Sequence, residues 1–207
     1  MNAMSAASNL TSPFETERPV VAIMLFDGVE VLDFAGPYEV FAAARNALGD
    51  PYTKVFTVAN RPEIKCHGGL RVTADAAFEA CRSFDVLIVP GGTGAREKGE
   101  NQKDAIRFIQ EQKGKAKLIA SVCTGAFLLA RAGLLDGRRA TTHTHRLELF
   151  AREFPLVTVE EGKIIDQGDV VTAGGVSSGI DLALYLVERW FGAEARRLEA
   201  RRLDGPW

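Results

Sequence analysis

The sequence predicts an α/β fold with a mostly parallel central sheet flanked by helices. Three observations carry that prediction. Apolar runs of strand length recur at Val20–Phe26, Asp85–Pro90 and Leu118–Val122, the pattern of strands covered on both faces. Stretches with helical spacing separate these runs. Glycines break the chain directly after them, at Asp27-Gly28, Gly91-Gly92 and Gly125.

The elements follow in order. Met1–Pro19 is polar and lacks the basic start and apolar middle of a signal peptide, so it is expected to be a flexible tail. Val20–Phe26 is the first strand. Gly36-Pro37 is read as opening a helix from Tyr38 to Ala47, which Leu48-Gly49-Asp50-Pro51 closes. Lys54–Ala59 is a strand. Gly68-Gly69 turns a short hairpin with Leu70–Thr73 as one arm. Asp85–Pro90 is a buried strand, and a helix from about Lys103 to Lys113 ends at Gly114. Leu118–Val122 leads through Cys123 into a helix stopping near Gly133. Arg139–Thr142 reads as a short strand before His143, and a helix covers His145–Glu153. Strands recur at Val157–Val159, Lys163–Asp166 and Val170–Ala173. Helices at Ser178–Phe191 and Ala193–Arg202 finish the chain.

Bulk properties bound the function. The 207 residues suit one well-cored domain, expected over residues 20–207. A net charge of −2 makes no electrostatic case for nucleic acid or an anionic membrane as partner. Cys66, Cys81 and Cys123 are an odd count without Cys-x-x-Cys spacing. That fits neither a disulfide scaffold nor a zinc module, and points to a reducing, cytoplasmic compartment. No stretch is apolar enough to span a bilayer.

Ligands of such sheets bind beyond the carboxyl ends of the strands. Asp33, Gly91-Gly92, Cys123 and His143 fall there. Cys123 is the candidate nucleophile, because a strand-to-helix turn puts its thiol near a helix N-terminus, where partial positive charge favours thiolate. The competing reading is a buried structural thiol. Asp33 reads as a residue at a helix start; an ionised carboxyl beside Cys123 would raise the thiol pKa. Glu30 reads as a solvated loop carboxylate, and His67 beside Cys66 as coincidental. Asp181 reads as structural, near a helix start. Arg196, Arg197, Arg201 and Arg202, with Glu194 and Glu199, read as a solvated or dimer-facing surface.

Four ordered motifs carry a family resemblance: Leu32-Asp33-Phe34-Ala35-Gly36-Pro37, Val89-Pro90-Gly91-Gly92, Ser121-Val122-Cys123-Thr124-Gly125 and Ala140-Thr141-Thr142-His143. They resemble the ThiJ/PfpI superfamily, from about Val20 to Gly192. The resemblance implies a flavodoxin-like, class I glutamine amidotransferase-like fold, a three-layer sandwich. Within the superfamily the motifs are similar to those of isocyanide hydratase and of the amidotransferase-like domains of AraC-type regulators, and do not separate the two.

The hydratase branch implies addition of water to a small isocyanide, giving an N-substituted formamide, with no metal or organic cofactor. Cys123 would attack the terminal carbon and Asp33 would manage protons. The backbone N–H groups of Gly92 and Thr124 would form an oxyanion hole. Gly91 and His143 are site neighbours; His143 would be the base only on a PfpI-like amidase reading. Thr144 stands where Trp usually follows Thr-Thr-His, which alters the pocket wall. Only about fifteen residues follow the matching region, too few for a helix-turn-helix region of the AraC kind. The resemblance also implies a homodimer, with Val29, Val31 and Leu32 as interface candidates.

Overall fold

The computed structural model describes residues 18–97 and 99–207. The elements run β1 (Val20–Leu25), α1 (Val31–Ala43), β2 (Lys54–Ala59), β3 (Glu63–Lys65), β4 (Arg71–Thr73), β5 (Ala76–Ala77), β6 (Val86–Val89) and α2 (Glu100–Gln112). They continue with β7 (Leu118–Val122), α3 (Gly125–Arg131), β8 (Arg139–Ala140), α4 (Leu147–Glu153), β9 (Thr158–Val159), β10 (Ile164–Asp166), β11 (Val170–Ala173), α5 (Ser178–Phe191) and α6 (Ala193–Leu203).

Seven strands form the central sheet, in the order β10-β11-β7-β6-β1-β2-β5. All neighbours are parallel except β10, which closes one edge antiparallel to β11. Val21 faces Val55 on one side and Val86 on the other. Every residue of β6, β7 and β11 is buried. This explains why those segments do not alternate apolar with polar residues: neither face meets water. α1 packs on α5 and α5 on α6, while α2 packs on α3, giving two helical layers around the sheet. The expected flavodoxin-like α/β fold is the fold observed.

From β1 the chain builds outward to β2 and β5, then returns to the other side of β1 to lay down β6. That reversal opens a crevice beyond the carboxyl ends of β1 and β6. An isolated bridge between Val29 and Gly92 spans it.

β2, β11 and α5 occupy the residues expected of them. Gly36-Pro37 does not: α1 begins five residues before Gly36, at Val31, and contains the pair. The pair marks a helix crossing instead. A Cβ on Gly36 would lie 2.9 Å from Ile180 Cγ1, and one on Gly179 would lie 3.1 Å from Pro37 Cδ. α1 and α5 approach that closely because both carry glycine there. The absent N–H of Pro37 is tolerated because the packing of α1 on α5 outweighs one lost helical bond.

Arg139–Thr142 also differs. Only Arg139 and Ala140 are strand, paired with β9 in a separate two-stranded sheet. Thr141 and Thr142 dock on the central sheet through hydrogen bonds involving hydroxyl groups. Thr141 N–H donates to Thr172 Oγ1 (2.9 Å), and the Thr142 hydroxyl donates to the Cys123 carbonyl (2.9 Å). Most of the expected tail lies outside the described residues. Pro19 is tied down, its carbonyl accepting the Lys54 N–H at 3.0 Å. Val29, expected at an interface, is fully buried within the chain, whereas Leu32 is 41% exposed. Three arginines of the basic α6 face are paired within the chain: Arg202 joins buried Glu199 to Glu39 of α1, Arg197 pairs with Glu194, and Arg196 with Glu188.

Candidate active site

Cys123 follows the last residue of β7. Its N–H donates to the Ala173 carbonyl at 3.0 Å, extending the strand ladder by one residue. The chain then turns sharply, with Cys123 at φ +55°. Non-glycine residues rarely adopt this region, and holding one there costs about 1–3 kcal/mol. The buried β7–β11 pairing on one side and α3 on the other hold the strained turn. Cys123 is only 5% exposed.

Asp33 is the third residue of α1 and is fully buried. Its Oδ2 accepts the Gly91 N–H at 2.8 Å. Its Oδ1 has no hydrogen-bond partner of good geometry. The Cys123 thiol is its neighbour, and each group acts on the other's proton affinity. The expected approach of carboxyl to thiol is therefore present.

The electrostatics differ from the expectation of a ready thiolate. Burial, with the charge of Asp33 second, pushes the Cys123 thiol up to about 12, against opposing hydrogen bonds from Thr124. Burial pushes the Asp33 carboxyl up to about 7, despite the Gly91 N–H bond and the neighbouring thiol, which both lower it. α3 is a seven-residue helix, and the partial charge at its start does not offset desolvation of a sulfur anion. The pair holds both protons below about pH 7 and releases the first from the carboxyl.

Gly91, Gly92 and Thr124 lock the opposite wall. Gly92 N–H donates to Thr124 Oγ1 (3.0 Å), and the same hydroxyl donates to the Gly92 carbonyl (3.2 Å). The N–H expected to face an oxyanion is thus held by Thr124 in the resting site. Gly92 has φ +128°, a conformation that favours glycine. A Cβ on Gly91 would lie 2.5 Å from Thr124 N and 2.9 Å from Asp33 Oδ2. Gly91→Ala is therefore expected to force Asp33 and Thr124 apart. It should destabilise the protein by about 1–3 kcal/mol in urea denaturation, and abolish any activity centred on Cys123.

These residues open into a cleft of about 260 Å³, lined by Cys123, Thr124, Gly92, His143 and several groups the sequence did not single out for the site. His143 reaches the cleft because Thr142 docks on Cys123. His143 Nδ1 accepts the His145 N–H at 3.2 Å. That places the imidazole proton on Nε2, and among the described residues no carboxylate hydrogen-bonds the ring. Burial, then the charges of His145, Arg146 and Arg96, hold His143 below its ordinary range. With the proton on Nε2, the one lone pair of the neutral ring lies on Nδ1 and is engaged by the His145 N–H, which argues against a Cys-His dyad. Thr144 lines a neighbouring pocket with Thr141, Gly174 and Ser178, so its departure from Trp lies outside the Cys123 cleft.

Sequence reasoning missed Glu30, His67, Arg96 and Arg146, all of which line the cleft. Glu30 directly precedes α1, and Arg96 lies on the loop after β6. Both could have been found, since each follows a strand whose carboxyl end faces the site. His67 could not. It reaches the cleft because the β3–β4 hairpin folds back, His67 N–H bonding the Val29 carbonyl at 2.8 Å.

A model of the DJ-1/PfpI family matches residues 19–189. The chain belongs to the DJ-1/PfpI family. Among curated relatives, isonitrile hydratase of Pseudomonas putida is 33% identical over 185 residues, which are 89% of this chain and 77% of that protein. The transcriptional regulator GbdR of Pseudomonas aeruginosa is 27% identical over 84% of this chain, and the match spans 47% of the regulator. A ThiJ/PfpI family protein from Pseudomonas syringae has the same fold, with TM-score 0.77 and 24% identity, covering 100% of this chain and 84% of that one. The chain is thus similar both to an isonitrile hydratase and to part of a transcriptional regulator.

Proposed function

We propose that this DJ-1/PfpI domain hydrates an isocyanide to an N-substituted formamide, with Cys123 as nucleophile and Asp33 as proton carrier. The observation that carries this reading is the buried Cys123–Asp33 pair, with the carboxyl pushed up to about 7. Similarity to an isonitrile hydratase over most of the chain supports it.

The chemistry suits a protonated pair. The terminal carbon of an isocyanide carries a lone pair and accepts a proton. Asp33 gives its proton to that carbon, forming a nitrilium. The Cys123 sulfur bonds to the same carbon as its thiol proton passes to Asp33. The product is a thioimidate, R–N=CH–S–Cys123, with Asp33 protonated again. Water then adds across the C=N bond, one hydrogen ending on nitrogen and the hydroxyl on carbon. The C–S bond breaks, sulfur recovers a proton, and R–NH–CHO leaves. No pre-formed thiolate is needed, which reconciles the reaction with a thiol held near 12. Thr124 Oγ1 holds Gly92 in place, and rotation of that hydroxyl would free Gly92 N–H for the oxygen that develops on carbon.

The test is turnover of cyclohexyl isocyanide with mass spectrometry of the intact protein. The expected results are N-cyclohexylformamide and a Cys123 adduct heavier by one isocyanide. No formamide and no adduct from this compound or from an isocyano carboxylate would sink the hydratase reading and favour a ligand-sensing domain, the second reading, which similarity to regulators supports.

A further inference from the structure

The cleft carries a charge pattern that the chemistry at Cys123 does not use. Arg96 and Arg146 line it and are half-buried, and among the described residues neither guanidinium has an ion-pair partner. Both are held by anchored backbone. The Ala95 carbonyl accepts hydrogen bonds from Arg131 Nη1 (2.8 Å) and Gln102 Nε2 (3.0 Å), and Arg96 N–H bonds the Thr93 carbonyl (3.0 Å). Arg146 N–H bonds the His143 carbonyl at 2.7 Å, at the end of the 3₁₀ turn Thr144–Arg146.

Arg96 and Arg146 line the same cleft as Cys123 and His143, and both help hold His143 below its ordinary range, while Glu30 is the acidic residue of the wall. The cleft thus presents the Cys123 thiol together with two guanidinium groups and a single carboxylate, Glu30, among its lining residues. A small neutral ligand at Cys123 would leave two half-buried guanidinium groups without an acceptor. Such groups bind carboxylates through paired, charge-assisted hydrogen bonds.

We infer that the ligand of this cleft carries a carboxylate, held by Arg96 and Arg146 while its other end lies at Cys123. The identity of the reacting end rests on the hydratase reading. On that reading the substrate is a short isocyano carboxylate and the product an N-formyl amino acid. Water adds across the isocyanide carbon and nitrogen, and the carboxylate is unchanged.

The test compares isocyanoacetate with methyl isocyanoacetate, in the wild type and in Arg96→Met and Arg146→Met. The expected result is a kcat/KM for the acid about tenfold or more above that for the ester, the ratio falling toward one in both variants. Equal rates for acid and ester, with the ratio unmoved in the variants, would overturn the carboxylate seat and leave the hydratase reading standing. If neither compound is hydrated, calorimetric titration with N-formylglycine and its methyl ester decides the seat, and the hydratase reading itself fails only if cyclohexyl isocyanide is not hydrated either. Binding of the acid alone, weakened in both variants, supports it; binding of neither, or of both equally, overturns it.

Discussion

Replacement of Cys123 by Ala is expected to lower formamide production from an alkyl isocyanide by about 10³-fold or more, because the nucleophile itself is removed. The fold should survive. Cys123 is held at φ +55° by the β7–β11 ladder and by α3, and Ala tolerates that conformation no worse than Cys does. The lost sulfur leaves a small gap in a site already open to a cleft, so destabilisation of about 1 kcal/mol is expected. Cys123→Ser should be inactive too. Its hydroxyl fits the space, but oxygen adds to a nitrilium less readily than sulfur and leaves less readily afterwards. The measurements are formamide yield and a thermal melt. A Cys123→Ala protein that hydrates isocyanide at the wild-type rate would remove Cys123 from the mechanism.

Asp33→Asn is expected to separate chemistry from stability. Asn keeps an oxygen for the Gly91 N–H, yet neither delivers nor accepts a proton, so the rate should fall by about 10²–10⁴-fold. In the wild type, activity should decline as pH rises through about 7, because the acid form of Asp33 disappears there. Stability runs in the same direction. The carboxyl titrates near 3.8 ordinarily and near 7 in the fold. Below 3.8 both folded and unfolded chains hold the proton, and no penalty exists. Between 3.8 and 7 the unfolded chain releases it while the fold retains it, so stability falls with rising pH. The loss approaches an upper bound on the order of 4 kcal/mol above pH 7. Asp33→Asn lacks this loss, so its stability relative to wild type should grow between pH 4.5 and pH 8 in urea denaturation. A wild-type to variant difference constant across that range would show that Asp33 does not titrate there.

The strands and helices were legible wherever the local pattern and the tertiary demand agree. β2, β11 and α5 lie at their expected residues because continuous burial leaves one reading of an apolar run. The start of α1 was not legible. Gly36-Pro37 looks like a helix boundary in sequence, but its role is contact with Gly179 and Ile180, 142 or more residues away. The Thr141-Thr142 segment misled for a similar reason: β-prone residues there make hydroxyl bonds to another strand and to the Cys123 turn instead of a ladder.

For the site, the sequence by itself placed a cysteine at a strand-to-helix turn, a carboxyl after the first strand and a glycine pair after another. Those positions follow from a parallel sheet whose strand ends all face one crevice. What only the tertiary structure decided is the state of those groups and the company they keep. Burial of Asp33 against Cys123, which no local pattern encodes, turns an expected thiolate into a protonated pair. Return of the β3–β4 hairpin and docking of Thr142 bring His67, His143 and Arg146 to the same cleft as Arg96. Proton affinity depends on solvent exclusion and neighbouring charge in three dimensions, and both are set by residues far apart in the chain.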